Sequence, residues 1–506
     1  MAFVGEIEGD NPRRWRSLAA ICILLGVVWV LSDGFVIAVG TIGTDLHAST
    51  DQMAWAVNCF GLAACFAALF GRLGDMQGNR KVMAFGSAVL VLGSVVGGLA
   101  ENPDQLILAR VVQGIGATAI TTCSLSIVTL QFPSGERSRA LSISDGFAWA
   151  ASGMAVLLIA VVLQGLGWRS IFWVAIPIAA AGLILAVKTT PEFRERKPDS
   201  KLDLAGALTL VAGFLLLSFA LIESDELSIE VLLILAGASA AMFALFVLIE
   251  SRASDPLIPL AVWRRSTFSG SIIVSFVYNG VLGGMIYLLA LYLQTVRGLS
   301  ALDAAFVLLG ITLALVLAFP LGAKLVAQGR FLLPITVGML FVVIACVAIL
   351  VGVEAKLDYV TLFGLISLGA AIGIQGTSIS VLQVSSSGAS KGTASGVIGV
   401  CDGVSVAIGV ALATAIMQNV SLRSLEQASG SNQLEGVSHQ KLLDIFTGSL
   451  PLNSVSSAAQ ELVTNAFDLG LVVACGIFAG LALLGAGLAV ATLRKIEIDY
   501  DPATDS

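Results

Sequence analysis

Three aspartates lie inside long apolar segments of the sequence: Asp33 and Asp145, each within the tetrapeptide SDGF, and Asp402, within CDGV. A charged aspartate at the centre of a bilayer costs about 2.5–3.5 kcal/mol on insertion scales. Such a carboxyl group must face water, pair with a cation or take up a proton. Burial disfavours its charged form and a nearby arginine favours it, so a change of surroundings would change its proton occupancy. These residues could therefore bind protons reversibly, although each could equally be a structural hydrogen-bonding group.

An arginine inside another apolar segment is a candidate partner for one of these aspartates. Arg110 occurs in LILARVVQGIGATA, where a guanidinium group must find a partner or water. Asp33 follows Arg16 by about 25 Å of helix rise, which places it in the central to outer part of its segment. Arg110 enters from the opposite side and could reach a similar depth. We expect an Asp33–Arg110 pair, with Asp33 as the leading proton-binding carboxylate.

The elements that would hold these residues are membrane-spanning helices. The 506 residues are 57% hydrophobic and 12% charged, with a mean hydropathy of +0.95, whereas a soluble protein carries about twice that charge. All seven cysteines fall in apolar segments, as small buried residues do. Apolar segments of about 20 residues follow one another along the chain, as in polytopic helical membrane proteins. We predict an all-α membrane protein with fourteen spans, at 17–41, 52–70, 82–100, 104–131, 142–165, 168–188, 203–222, 229–250, 269–294, 303–327, 331–353, 359–384, 394–418 and 463–493.

The distribution of basic residues predicts the orientation. If the N-terminus lies inside, most of the 27 lysines and arginines fall in inside segments. By the positive-inside rule, both termini are then cytoplasmic. The first apolar segment is too long for a signal peptide, and we expect it to remain uncleaved.

Several function classes are disfavoured by what the sequence lacks. No loop is long enough to hold an active site, and no G-x-x-x-x-G-K-[ST] motif occurs. The two histidines, His47 and His439, fall outside the apolar segments, and no metal-ligand cluster is apparent. We expect neither an enzyme nor a cofactor. An energised transporter of this kind would use an ion gradient.

The segment between the second and third predicted spans carries the most specific motif, GRLGDMQGNRKV. It resembles the G-x-x-x-D-x-x-G-x-R-K loop of the major facilitator superfamily. Gly71, Asp75, Gly78, Arg80 and Lys81 match this pattern, and the resemblance implies a conformational-switch loop.

Other segments resemble the fourteen-helix drug:proton antiporter branch of that superfamily. They are W-x-x-x-x-F-x-L from Trp55, GWRSIFWVAIPI from Gly167 and YLQTVRGLSALDA from Tyr292. The Arg110 segment, with Gln113, Gly114 and Gly116, resembles the second motif of the superfamily as a whole. The resemblance implies a role for Arg110 in proton coupling. The fifth span departs from the branch, because GMAVLL from Gly153 stands where G-P-x-x-G-G is usual.

The resemblance also implies a domain organisation. We expect an N-terminal six-helix bundle at 1–188, a linker with two inserted helices at 189–268, and a C-terminal six-helix bundle at 269–506. The last contains a long outer loop, 419–462, which could form amphipathic helical pieces, a lid or a partly ordered loop. Each bundle of this fold is built from inverted repeats. Asp145 and Asp402 then occupy equivalent positions in the two bundles and are candidate proton-coupling charges.

Polar or amphipathic residues within the spans are candidates for a substrate cavity, although any one of them is more often a helix–helix contact. They are Asn58, Trp149, Tyr278, Asn279, Tyr287 and Gln375.

These observations lead to three alternatives. The first is a proton-coupled secondary transporter of the plasma membrane, which exports amphiphilic, possibly cationic, drugs by alternating access. Its partners would be the substrate, protons and the lipid bilayer, without nucleic acid, and we expect a monomer. The second keeps the fold but exports a lipid, glycolipid or endogenous metabolite, which the departure in the fifth span favours. The third is a non-transporting membrane sensor or assembly protein on a transporter scaffold.

Overall fold

The structure is a computed structural model that describes residues 13–48, 50–193, 203–222, 227–253, 256, 263, 265–386, 391–428, 439–446 and 452–494. These residues form helices and connecting turns, with no strand among them. The α-helices are α1 (Arg14–Asp45), α2 (Thr50–Leu62), α3 (Ala67–Gln77), α4 (Asn79–Gly98), α5 (Pro103–Gln131), α6 (Ser134–Leu166), α7 (Arg169–Thr189), α8 (Leu204–Ile222), α9 (Ile229–Arg252), α10 (Ser266–Thr295), α11 (Ala301–Ala327), α12 (Leu332–Glu354), α13 (Asp358–Ser386), α14 (Lys391–Ala428), α15 (His439–Phe446) and α16 (Ser457–Leu493).

The all-helical prediction is confirmed, and each predicted span overlaps a helix. The second span consists of α2 and α3 joined by a 3₁₀ turn, Ala63–Phe66. Twelve helical segments in the described residues are long and apolar enough to cross a membrane. The helix α6 is not among them, and α8 contributes a shorter apolar helix, Leu204–Leu217. The count of fourteen spans and the location of the termini therefore stay predictions.

The chain divides into two compact units. The first contains the described residues up to Ser269 together with Ser380–Gly403. The second contains Gly270–Ile379 and the described residues from Val404 onwards. Residues 194–202 of the predicted linker lie outside the described residues. The predicted division at residues 188 and 268 stays a prediction.

Close helix contacts in the first unit depend on glycines. A Cβ on Gly86 of α4 would lie 2.6 Å from the Cβ of Ala119 and 2.8 Å from the carbonyl oxygen of Gly116 on α5. Small residues allow membrane helices to approach closely, because association in lipid rests on van der Waals contact. This packing fixes α5, which carries Arg110, against α4.

The second unit uses the same device between α11 and α13. A Cβ on Gly369 would overlap the carbonyl oxygen of Ile311, and a Cβ on Gly373 would overlap that of Leu315. The backbones of these two helices are therefore in direct contact.

The predicted outer loop contains a short amphipathic helix, α15. Its Leu442, Ile445 and Phe446 are buried. The Phe446 ring lies 6.2 Å from that of Phe467, which lies 6.3 Å from that of Tyr292. This helix therefore packs on α16 of the second unit. Residues 429–438 and 447–451 of the loop lie outside the described residues.

We predict that Gly86→Ala lowers the free energy of unfolding by about 1–3 kcal/mol, because the added methyl group overpacks the α4–α5 contact. Gly480→Ala is the matched control, since a Cβ there meets nothing within 4 Å. This control should raise helix stability by about 0.5–1 kcal/mol, as removal of a helical glycine does. Thermal unfolding of the purified protein in detergent measures both. Equal midpoints for the two variants would contradict the packing argument.

Candidate functional site

Arg110 lies in the first turns of α5 and is only 1% exposed. Its Nε donates to the carbonyl oxygen of Ala56 on α2 at 3.0 Å, and its Nη1 donates to that of Leu31 on α1 at 3.0 Å. The same Nη1 donates to Oε1 of Gln113 at 3.1 Å. One side chain thus joins α1, α2 and α5.

Asn58, a candidate for the substrate cavity, is exposed on α2.

Two aromatic rings cover the faces of this guanidinium group. Its central carbon lies 4.2 Å from the ring centre of Phe35 and 4.3 Å from that of Phe60. Cation–π contacts of this kind stabilise a charge by about 2 kcal/mol when it is shielded from water. Gln113 in turn donates to Oγ of Ser94 at 3.0 Å. Arg110 is therefore stabilised by uncharged groups.

Asp33 and Arg110, which the sequence predicts to lie near each other, form no direct ion pair. Asp33 instead accepts a hydrogen bond from Oγ of Ser152 on α6. The two charges are still close enough to interact electrostatically. The physical reason is geometric: the donors of Arg110 point at helix carbonyl oxygens, which the sequence pattern does not reveal. Asp33 is half-buried and remains without a direct cationic partner among the described residues.

A stripe of half-buried side chains follows the contact between α1 and α6. Trp29 and Trp149 stack with ring centres 6.4 Å apart and an angle of 15° between their planes. Asp33 lies one turn beyond Trp29, and Asp145 lies one turn before Trp149. The stripe thus places a flat aromatic pair between two carboxyl groups, and it includes one cavity candidate, Trp149.

The other two predicted carboxylates come together in the first unit. Asp145 of α6 accepts a hydrogen bond from Oγ of Ser380 on α13 at 3.2 Å. Asp402 of α14 lies close enough to Asp145 for their charges to repel each other. Their equivalence by internal symmetry stays a prediction, but their proximity is a feature of the structure.

Asp75 of the predicted switch loop lies in the last turn of α3 and contacts the start of α14. Its Oδ1 accepts from the backbone N–H of Gly392 at 2.9 Å. Its Oδ2 accepts from the backbone N–H of Thr393 at 2.8 Å and from Oγ1 of Thr393 at 2.9 Å. A carboxylate that bonds the first amides of a helix is stabilised by those donors and by the helix dipole. Asp75 is thus the N-terminal cap of a helix distant in sequence, and Gly71 lies against Gly392 in the same contact.

The remaining loop residues connect α3 to α4. Gly78 has a φ of 112°, which favours glycine. Arg80 pairs with Glu192 at 3.4 Å between Nε and Oε2, and Lys81 is exposed. Glu192 has no signal in the sequence beyond its acidic side chain in the predicted linker.

A second polar cluster joins the far ends of three helices of the first unit. Asp45 at the end of α1 accepts from Nε1 of Trp168 and from Nη1 of Arg169, each at 2.9 Å. Arg169 also donates to the carbonyl oxygen of Ala100, just beyond α4, at 3.0 Å. The hydrogen bonds from Trp168 and Arg169 lower the pKa of the Asp45 carboxyl group. These contacts fix the start of α7 against α1 and α4.

The cavity candidates of the second unit differ in their surroundings. Tyr278 is buried on α10, Tyr287 is half-buried, and Asn279 donates to Oγ of Ser275 at 3.1 Å. Gln375 of α13 is fully buried, and neither atom of its amide has a hydrogen-bond partner among the described residues. A buried amide without partners costs about 1–3 kcal/mol. The amide of Gln375 could therefore accept a hydrogen bond from water or from a bound molecule only if the packing around it opened.

We predict that Arg110→Lys destabilises the protein by about 1.5–3 kcal/mol for each charged hydrogen bond that it loses. A lysine lacks the planar fork that reaches two carbonyl oxygens and stacks between two rings. Arg169→Lys is the matched control, because Arg169 also donates to a backbone carbonyl oxygen but lies at the surface, where it pairs with Asp45. Denaturation in detergent compares them. Equal stability of the two variants would contradict the role assigned to Arg110.

Three curated bacterial proteins are similar to this chain. The Tetracenomycin C resistance and export protein of Streptomyces glaucescens is 28% identical over 66% of this chain and 62% of its own length. Multidrug resistance protein 3 of Bacillus subtilis is 27% identical over 61% of each chain. Quinolone resistance protein NorB of Staphylococcus aureus is 28% identical over 79% of this chain and 85% of its own. The chain thus spans about three fifths of the length of the first two relatives.

A solved structure shares the fold. The crystal structure of the human organic anion transporter MFSD10 (TETRAN) has a TM-score of 0.61 and 16% sequence identity. The similarity covers 95% of this chain and 100% of that one.

The sequence model of the Major Facilitator Superfamily matches residues 18–410, well over half of the chain. The helical spans agree with that match and support a location in the plasma membrane. The chain is a multi-pass membrane protein that belongs to the Major Facilitator Superfamily.

Proposed function

We propose that this protein is a proton-coupled secondary transporter that exports amphiphilic drugs, some of them cationic. The observation that carries the proposal is the set of half-buried carboxyl groups in the spans, Asp33, Asp145 and Asp402. The names of the three bacterial relatives, which refer to resistance and export, support the same class of cargo.

Competition between cargo and protons explains how these groups could couple transport to a gradient. A cation that enters beside Asp33 or Asp145 favours the charged carboxylate and displaces its proton. Trp29 and Trp149 offer aromatic faces to a flat or cationic molecule. When the cargo leaves, the carboxylate takes up a proton again. Exchange of one for the other on opposite sides of the membrane is antiport.

Asp75 provides the conformational element of the proposal. Its bonds to Gly392 and Thr393 stabilise the state that the structure represents. In alternating access this contact would form in one state and break in the other. A contact that is made in only one state biases the equilibrium between the two states.

The proposal includes no catalysis and no cofactor. No group of three or more His, Cys, Asp or Glu in the described part of the chain could hold a metal ion. We propose that the proton gradient is the energy source and that a monomer is the transporting unit.

An endogenous cargo is the second candidate. The motif usual in the fifth span of drug antiporters is replaced here by GMAVLL from Gly153. Export of a lipid, glycolipid or metabolite would use the same carboxylates and the same Asp75 contact. A panel of cargoes that includes lipids therefore separates the two candidates.

We predict that Asp33→Asn abolishes efflux while Asp45→Asn retains it. Asp33 is half-buried in a span, whereas Asp45 is an exposed aspartate at the end of the same helix. The measurement is efflux of cationic dyes, neutral drugs and lipids from cells that lack their major pumps. A protonophore should stop efflux by the wild type.

Proteoliposomes test the coupling itself. Addition of cargo to wild-type vesicles should drive a proton flux that Asp33→Asn removes and Asp45→Asn retains. An unchanged flux in Asp33→Asn would exclude the coupling role of this carboxylate. Export of the whole cargo panel without any proton flux would exclude antiport.

A further inference from the structure

Glu192 lies just beyond the end of α7 and caps the start of α4. Its Oε1 accepts from the backbone N–H of Arg80 at 3.0 Å. Its Oε2 lies 3.4 Å from Nε of the same arginine. The carboxylate thus satisfies one of the first amides of α4 and lies where the helix dipole favours a negative charge.

The backbone around Glu192 is fixed on both sides. The backbone N–H of Asn79 donates to the carbonyl oxygen of Phe193 at 3.0 Å. Arg80 donates through Nη1 to the carbonyl oxygen of Thr190 at 3.3 Å. The hydroxyl groups of Thr190 and Ser17 lie 2.7 Å apart, which ties the segment to α1. Residues 190–193, which we call the strap, therefore hold the start of α4 against the rest of the first unit.

Gly78 shows how closely the strap approaches the switch loop. A Cβ at Gly78 would overlap the carboxyl group of Glu192. Its φ of 112° is also one that other residues rarely adopt. The loop therefore has a glycine where both the backbone conformation and the neighbouring carboxylate require one.

We propose that Glu192 is a positioning residue that holds Asp75 in reach of α14. Asp75 is three residues before Gly78, and the N–H of Gly78 donates to the carbonyl oxygen of Gly74 at 2.9 Å. Movement of the Gly78–Arg80 turn therefore moves the carboxylate of Asp75. Through this connection the end of α7 controls the capping of α14. The inference rests on the proposed alternation between states, in which the Asp75 contact is made and broken.

A disulfide between α5 and α14 reports on this contact without any cargo. The hydroxyl groups of Ser126 and Ser395 lie 3.1 Å apart, so Ser126→Cys with Ser395→Cys brings two thiols within bonding reach. The initial rate of disulfide formation then measures how often α14 lies in its capped position. Mass spectrometry of the linked peptides distinguishes this disulfide from any that involves the seven native cysteines.

We predict that Glu192→Ala lowers this rate about fivefold, the change expected when one helix cap is lost. Glu136→Ala is the matched control, because Glu136 also lies at the start of a helix and pairs with an arginine, Arg14, at 3.1 Å. It forms no hydrogen bond or ion pair with the loop, and its partly exposed ion pair should change the rate less than about twofold.

A second variant decides the outcome if Glu192→Ala does not fold. Glu192→Asp is shorter by one methylene group and should also slow disulfide formation, because it cannot reach both atoms of Arg80. Rates equal to the control in the folded variants would overturn the positioning role. The test needs no transport, so failure to find an exported cargo would count against the proposed function and not against Glu192.

Discussion

A buried charge must have its hydrogen-bonding groups satisfied by the protein itself, and in this structure Arg110 imposes that constraint most strongly. Its guanidinium group takes carbonyl oxygens from α1 and α2, an amide from its own helix and two aromatic faces. The donors of Arg110 thus bond uncharged groups, and none of these bonds goes to the carboxylate of Asp33. That carboxyl group bonds Ser152 and, in the proposed mechanism, gains and loses a proton.

Two carboxylates outside the stripe act on helix starts. Asp75 caps α14, and Glu192 caps α4, the helix that follows the Asp75 loop. The two caps are adjacent, because the turn from Gly78 to Arg80 connects the end of α3, which carries Asp75, to the start of α4, which Glu192 caps. An arrangement of this kind transmits a movement at the end of α7 to the start of α14. The stripe and the capped helix α14 meet in the first unit, since Asp402 of α14 lies close to Asp145 of the stripe.

Much of the fold follows from the sequence because the bilayer limits what a chain can do. Apolar length predicts the helices, and the cost of a buried charge identifies Asp33, Asp145, Asp402 and Arg110. The partners of those charges cannot be predicted from the sequence in the same way. Carbonyl oxygens and ring faces leave no pattern in a sequence, so the sequence places Arg110 near Asp33 but does not reveal the groups that Arg110 bonds. Ser152 and Glu192 depend on contacts between segments over a hundred residues apart.

The central claim is that cargo and protons compete for the same carboxyl groups. The most direct test is the pH change when a cationic dye binds to the purified protein in weakly buffered detergent solution. The account predicts that binding releases protons, and that Asp45→Asn, whose carboxyl group lies outside the stripe, releases as many as the wild type. Binding of the dye without proton release, in acidic and alkaline solution alike, would contradict the claim that cargo and protons compete for the same carboxyl groups.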